Sequence, residues 1–341
     1  MERHDLLKAN SFDWVLEPDD PAARYQALKY LARLAPDDAE LAAARQAALQ
    51  SEPVRAILEN MAPEGYWEKP GGGYGPKYFS GVWTLLTLAQ MGLAAADDPR
   101  IATACAYYLD HAFTPFGSIS YNGAPGGTID CLQGNMCWAL TELGYADDRL
   151  EMAYDWMARS NTGEGVAPLT EKKQAVRYYA YKCAPYFACG ANQGQPCAWG
   201  AVKIMRAFAN WPAEKRTPLI QRAIQTGVDF LLCIDPLTAA YPTPDGQKPN
   251  RDWWLPGFPI FYITDLLQLL EALAGLGYGR DPRLQNTLTW ILNKQDKQGC
   301  WPLEYTYHRK TWADFGTRNR PNKWVTLRVL RLLKTIDEKS A

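Results

Sequence analysis

Histidine is scarce. The chain of 341 residues holds 3, His4, His111 and His308. His4 and His111 sit in peripheral stretches, so a His-centred triad has little material. No Gly-x-Ser-x-Gly elbow, P-loop or dinucleotide fingerprint occurs. Gly71-Gly72-Gly73 lies in a long loop rather than between a strand and a helix. No Cys-x-x-Cys pair occurs, which removes a zinc-ribbon type of site. Excess charge is also lacking: 36 Lys and Arg stand against 37 Asp and Glu, so nothing points to nucleic acid or an acidic membrane surface. There is no run of 18 apolar residues and no secretory pattern at Met1–Ser11. A soluble, cytoplasmic protein with no membrane span and no nucleic-acid partner is expected. Its 8 cysteines would then be reduced, which leaves metal binding, catalysis or simple burial.

What is present is a repeat. Trp83-Thr84-Leu85-Leu86-Thr87-Leu88 runs to Gly92, and Asp97-Asp98-Pro99-Arg100 follows. Trp138-Ala139-Leu140 runs to Gly144, then Asp147-Asp148-Arg149. Leu266 to Leu276 ends at Gly277, then Asp281-Pro282-Arg283. The anchors Trp83, Trp138, Trp199, Tyr262 and Trp324 stand 55, 61, 63 and 62 residues apart, and Tyr25 lies 58 residues before the first of them. Each unit predicts a helical hairpin. The first helix is apolar on most faces, so it should be buried; the second is amphipathic and opens on an acidic cap. Glycine closes the first helix. About six such pairs predict an all-α fold, an (α/α)6 toroid of inner helices ringed by outer ones, with an open solenoid as the competing arrangement.

Connection lengths locate the expected site. Links from inner to outer helix are short. Links from outer to the next inner helix are long, roughly residues 65–80, 114–128, 161–196, 237–259 and 299–321, and rich in Trp, Tyr and Gly. In a ring all links of one kind lie at one end. The long-loop end, over the inner-helix N-termini, is where function is expected. One domain is expected over residues 1–341, with a helical N-terminal unit at 1–50, the repeats at 51–335 and a tail at 336–341. Some of the 13 Trp and 19 Tyr should line an apolar cavity.

The stretch Gln295-Asp296-Lys297-Gln298-Gly299-Cys300-Trp301 resembles the Gln-x-x-x-Gly-x-Trp signature of the prenyltransferase and squalene-cyclase repeat superfamily, and the chain looks like its short, single-domain bacterial members. Glu64-Gly65-Tyr66-Trp67 keeps the Gly-x-Trp half, with Met61 where glutamine would stand. The resemblance implies an α/α toroid. It leaves the reaction open, since toroids host cyclases, prenyltransferases, hydratases and lyases. The cyclase Asp-x-Asp-Asp is not matched: Glu17-Pro18-Asp19-Asp20 and Pro36-Asp37-Asp38 read as helix caps. The Asp-Asp-x-x-Asp diphosphate motif is absent. The prenyltransferase zinc motif Asp-x-Cys is reduced to the adjacent pair Asp130-Cys131. A standard terpene cyclase or protein prenyltransferase is not expected.

The candidate chemistry sits in a few residues. Cys189 and Cys197 share one loop, with Cys131 in the preceding unit. These three hold a zinc ion with His308, supply a catalytic thiol, or are inert buried thiols. Asp265 falls in the apolar stretch Phe258–Leu267 and must be paired or carry a raised pKa. It reads as a general acid or base oriented by Tyr262, or as a structural partner of a helix N-terminus or of Arg251. Glu304 reaches the ring mouth and Lys323 opens the last inner helix; the two would pair, or Lys323 would hold an anionic group. Lys77 is a weaker candidate of the same kind. Asp130 reads as a cap or a site residue. Trp67, Tyr74, Tyr78, Trp254 and Trp301 are expected to line the pocket. The expected activity is acid–base chemistry (hydration or elimination, isomerisation or hydrolysis) on a small or medium apolar, isoprenoid-like or aromatic substrate. A zinc-dependent hydrolase or transferase with cysteine ligands, and a non-catalytic lipid or isoprenoid binder, are the alternatives.

Overall fold

The computed structural model describes residues 7–164, Ala180, 182–244 and 247–339. His4 and much of the long 161–196 connection lie outside them. The described residues are all-α apart from one short ladder. Helices run α1 Phe12–Val15, α2 Pro21–Gln26 with a π-helical continuation Ala27–Ala32, α3 Ala39–Leu49, α4 Glu52–Glu59, α5 Gly81–Gln90, α6 Pro99–Ala112 and α7 Asp130–Glu142. They continue as α8 Arg149–Thr162, α9 Ala198–Asn210, α10 Pro218–Leu231, α11 Leu266–Gly275, α12 Gln285–Asn293 and α13 Lys323–Glu338. The ladder β1 Ala188–Cys189 with β2 Gln195–Pro196 is antiparallel and pairs Cys189 with Gln195. No helix among the described residues is long and apolar enough to cross a membrane.

The packing order is that of a closed ring. α5 packs on α7, α7 on α9, α9 on α11, α11 on α13, and α13 on α2. The last step, α2 to α5, is made by Gln26, whose Nε2 donates to the Gln90 carbonyl at 2.5 Å. These inner helices are buried as their composition requires: α5 is buried at every position, and α11 at every position but Glu271 and Gly275. Five of the six inner helices also pack on the helix that follows, α3 on α2, α6 on α5, α8 on α7, α10 on α9 and α12 on α11. The outer helices bury one stripe only; α6 buries Ile101, Ala104, Cys105, Tyr108, Leu109 and Ala112. The C-terminal α13 packs on α1, so the two ends of the chain complete one unit between them.

A local device repeats at three corners. Gly92, Gly144 and Gly277 take positive φ just past α5, α7 and α11. The Asp-x-Arg triplet then starts the outer element. Asp98 Oδ1 accepts from the Arg100 amide at 2.8 Å, and the Arg100 fork returns to the same carboxylate at 3.0 and 2.7 Å. Asp147 with Arg149, and Asp281 with Arg283, do the same. The arginine side-chain bonds hold all three carboxyls below the usual carboxylate range.

The Gln-x-x-x-Gly-x-Trp stretch has a structural job. Gln295 Oε1 accepts from the Lys8 amide at 3.0 Å, which ties the start of the chain to the last loop. Gly299 has φ of +76°, and a Cβ there would run into the Ala9 carbonyl. Trp301 is fully buried and donates its indole N–H to the Ile291 carbonyl at 2.6 Å. Trp67 repeats this on the Ile57 carbonyl at 2.8 Å, and Gly65 repeats the positive φ at +105°. Both tryptophans peg a long loop onto the helix before it.

Candidate active site at the long-loop end

Helix and ladder geometry bring three of the expected cysteines together. Cys197 is the residue before α9, Cys189 ends β1 beside it, and Cys131 is the second residue of α7. Cys189 neighbours Cys197, and Cys197 neighbours Cys131, closely enough for each to act on the next. Cys189 and Cys197 face a cavity of about 310 Å³ that Trp199, Tyr241 and Trp253 also line. The thiols stay protonated at neutral pH. The Cys197 bond and burial push Cys189 well up, and the Cys131 bond raises Cys197 to about 12.

The metal set expected from the sequence is not assembled. Among the described residues no three His, Cys, Asp or Glu side chains form a metal-holding group. His308, the fourth ligand expected, is on an exposed loop with Nδ1 at 3.0 Å from Asp314. Cys189 and Cys197, both pushed up, are neutral partners rather than the thiolate donors a zinc ion needs, so no step is derived through a metal.

Two buried titratable groups lie behind the thiols. Asp130 opens α7 and is 2% exposed. Its Oδ1 accepts from Cys183 Sγ at 2.7 Å, and its Oδ2 has no hydrogen-bond partner among the described residues. Burial, against the Cys183 bond, raises its pKa to about 8. Gly200 makes the close approach possible: a Cβ there would stand 2.9 Å from the Asp130 Cβ.

Lys203 was not among the residues singled out in the sequence. It sits mid-α9 at 0% exposure, among Ala201, Val202, Ile204 and Met205. Its Nζ donates to Gln268 Oε1 and, at 3.3 Å, to the Ile263 carbonyl. No carboxylate pairs with it among the described residues. Desolvation lowers its pKa to about 7; among ionisable neighbours Cys131 acts on it most strongly and raises it. A neutral amine has two hydrogens and one lone pair. The two carbonyl oxygens use both hydrogens, so the lone pair is left to accept a proton. A lone lysine inside an apolar inner-helix run was the sequence signal.

An aromatic collar adjoins this group. Tyr78 stacks on Phe261 with centroids 5.4 Å apart, and on Tyr262 at 6.2 Å. Tyr74 packs on Trp83 at 5.1 Å, and Trp199 meets Tyr262 at 6.3 Å. Burial, with Cys131 and then Tyr262 nearby, raises Tyr74 to about 12. Lys77 places its Nζ 4.3 Å from the Tyr262 centroid and 5.1 Å from that of Tyr74, so it points into the collar and not simply to solvent.

Other expected site residues are engaged elsewhere. Asp265 caps α11 in extended backbone, so it and Tyr262 share no helix face. Its Oδ1 accepts from the Gln268 amide at 2.7 Å and Arg328 at 3.1 Å; its Oδ2 accepts from the Gly257 amide and from Arg328, both at 3.0 Å. Every strong acceptor position is used, and the partner is Arg328 rather than Arg251. Glu304 pairs with Lys294 at 2.6 Å, not with Lys323. Lys323 instead holds Glu17, at 3.0 Å, and Asp19. Asp20 and Asp38 cap α2 and α3. Trp254 donates to the Leu237 carbonyl at 2.8 Å, and its neighbour Trp253 is the one that lines the cavity. Trp67 and Trp301 line neither of the two cavities described.

No family model matches the chain, and no curated protein matches it. Among solved structures, it is similar to the type II terpene cyclase MstE from Scytonema in its apo form. The two are 13% identical, the alignment covers 84% of this chain and 96% of that one, and the TM-score is 0.32. That degree of likeness brings no substrate and no mechanism to the present chain.

Proposed function

We propose that this protein, one domain over residues 1–341, is an enzyme that moves a proton on a small apolar substrate held beside Cys189 and Cys197. Lys203 is the base, reached through Cys197 and Cys131. Asp265 is a structural anchor in this reading, and Tyr262 belongs to the aromatic wall. Lys203 is the observation that carries it. An unpaired amine at 0% exposure is costly to keep in a core, and a lysine brought near pH 7 is suited to general-base work. The surroundings support a mostly apolar ligand with a polar group: Trp199, Tyr241, Trp253 and three prolines line the cavity, together with Asn192, Thr243, Gln247, Lys248 and Asn250.

The proton balance is simple. Cys197 takes a proton from the substrate as it passes its own to Cys131. Cys131 in turn passes its proton to the Lys203 lone pair. The substrate ends as its conjugate anion, Lys203 as ammonium, and both thiols are restored. A concerted shift leaves no thiolate standing, which suits Cys197, whose ionisation is disfavoured. Isomerisation fits this sequence: the proton returns from the Lys203 ammonium by the same path to another carbon of the substrate, which regenerates the neutral amine.

The test is turnover of ten- and fifteen-carbon terpenoid alcohols and ketones, followed by gas chromatography, with Lys203→Met and Cys197→Ser beside the wild type. Conversion that rises with pH through about 7 and disappears in Lys203→Met is expected. Tight binding without conversion would make the protein a carrier of such molecules, and conversion that survives in Lys203→Met would remove the proposed base.

A further inference from the structure

We propose a second site, at the short-loop end of the ring, that binds a phosphate or diphosphate monoester through Lys29, Arg206 and Arg331. It is independent of the reading given for the thiol-lined cavity.

A cavity of about 430 Å³ opens there among the C-terminal ends of the inner helices, marked by Gln90, Glu142, Asn210 and Gly275. Seven Lys and Arg residues line it against three Glu. The glutamates are engaged. Glu142 accepts from the Tyr30 hydroxyl at 3.1 Å, Glu271 takes both arms of Arg328 at 2.8 Å, and Glu338 pairs with Arg33 and Lys334. Two of the lysines cap backbone: Lys334 donates to the Leu31 carbonyl and Lys339 to that of Gly275.

Three cations remain with no carboxylate paired to them among the described residues. The Arg206 guanidinium lies 3.3 Å from the Trp138 ring centroid, and that of Arg331 lies 3.8 Å from Tyr30. Lys29 Nζ is 4.9 Å from the same Tyr30 ring. The rings fix where the cations stand without cancelling their charge. Desolvation lowers both Lys29 and Arg206, the latter to about 10, with Glu142 acting on each in the opposite sense.

Helix C-termini are negative, and they account for the two carbonyl-capping lysines. They do not account for Arg206. Its Nη1 is sealed from solvent and donates to nothing among the described residues. A sealed guanidinium N–H without an acceptor is costly unless an acceptor arrives. Two guanidinium forks and one ammonium around a single space match an oxyanion with several oxygens and about two charges, which is a phosphate monoester rather than a single carboxylate. The cavity volume leaves room for the organic part of the ester.

The experiment is isothermal titration calorimetry of the full chain with inorganic pyrophosphate, and separately with citrate, at low and at moderate ionic strength. Pyrophosphate is expected to bind, more weakly as salt rises, and to raise Tm. Lys29→Met and Arg331→Lys should each weaken it by about tenfold, the ratio expected when one charge-assisted contact is lost; Lys29→Met should leave the Tm of the free protein unchanged, while Arg331→Lys also loses the Nη1 bond to Gln26 Oε1. Arg206→Met should abolish binding; if that variant does not fold, the other two decide. No heat of binding at millimolar pyrophosphate, equal binding by Lys29→Met and Arg331→Lys, or binding of citrate alone would each overturn the assignment.

Discussion

Replacing Lys203 by methionine tests the physical basis of the proposed site without any substrate. The amine is completely buried, and desolvation takes its pKa from 10.5 to about 7. The unfolded chain therefore holds the proton over a pH range in which the folded chain has released it. Where the unfolded state binds more protons, stability rises with pH. The folded pKa is the depressed one, so the penalty is complete and constant below about 7, shrinks between about 7 and 10.5, and is gone above. Each unit of that window is worth about 1.4 kcal/mol. Allowing for half-protonation at the lower bound, the wild type should gain about 2 kcal/mol between pH 7 and 9 from this group alone. Methionine has nearly the same length and no titrating group, so Lys203→Met should lack the gain. The assay is urea unfolding of both proteins at half-unit steps from pH 6 to 9.5, read as the difference in unfolding free energy. Titrations common to both proteins cancel in that difference. A wild-type minus variant difference that stays flat across the series would mean that Lys203 is protonated in the folded state, and the lone-pair argument would fall with it.

Asp130 should show the opposite slope. Its folded pKa is raised, from 3.8 to about 8, so its stabilising effect is full below 3.8 and is lost as pH climbs to about 8; Asp130→Asn should remove that loss, and identical pH–stability curves for variant and wild type would contradict it. Asp265→Asn weakens a buried network in which Arg328 keeps Glu271 as its partner, and should cost about 1–3 kcal/mol in urea unfolding, whereas a variant of unchanged stability that loses turnover would return Asp265 to the site. Gly299→Ala puts a Cβ against the Ala9 carbonyl at a φ of +76° and should cost on the order of 1–3 kcal/mol by thermal unfolding. Unchanged stability in Gly299→Ala would show that the last loop does not need its tie to the start of the chain.

Much of the ring is legible in the chain because the repeat is written in residues with a local job. Gly92, Gly144 and Gly277 are there for positive φ, and Asp98, Asp147 and Asp281 are there to accept from an amide and an arginine two residues on. Such signals depend on neighbours in sequence, so they survive without a structure. The approach of Cys131 to Cys197 was readable for a related reason: they stand at the starts of two successive inner helices, α7 and α9, and a ring sets those starts side by side, whereas Cys189 reaches them through the β1–β2 ladder. The Asp265 partner was not readable. Arg328 lies one repeat further on, in α13, and only the rotation of each inner helix about its own axis decides which of its side chains meets the next helix.

The same rotation explains why Lys203 escaped attention while Asp265 drew it. Both are charged residues in apolar runs, and sequence reasoning treats them alike. What separates them is the supply of partners. Asp265 stands at a helix start, where free amides are available, and faces an arginine; its charge is fully answered. Lys203 stands in the middle of a helix whose amides and carbonyls are already used, and the neighbouring helix offers it only an amide oxygen and a backbone carbonyl. A carboxylate in an apolar run is therefore more often an anchor when it caps a helix, and an amine in mid-helix has no such outlet. Burial without a charge partner brings the Lys203 pKa down to about 7. That asymmetry is why the proposed reading takes Lys203, rather than the more conspicuous Asp265, as its base.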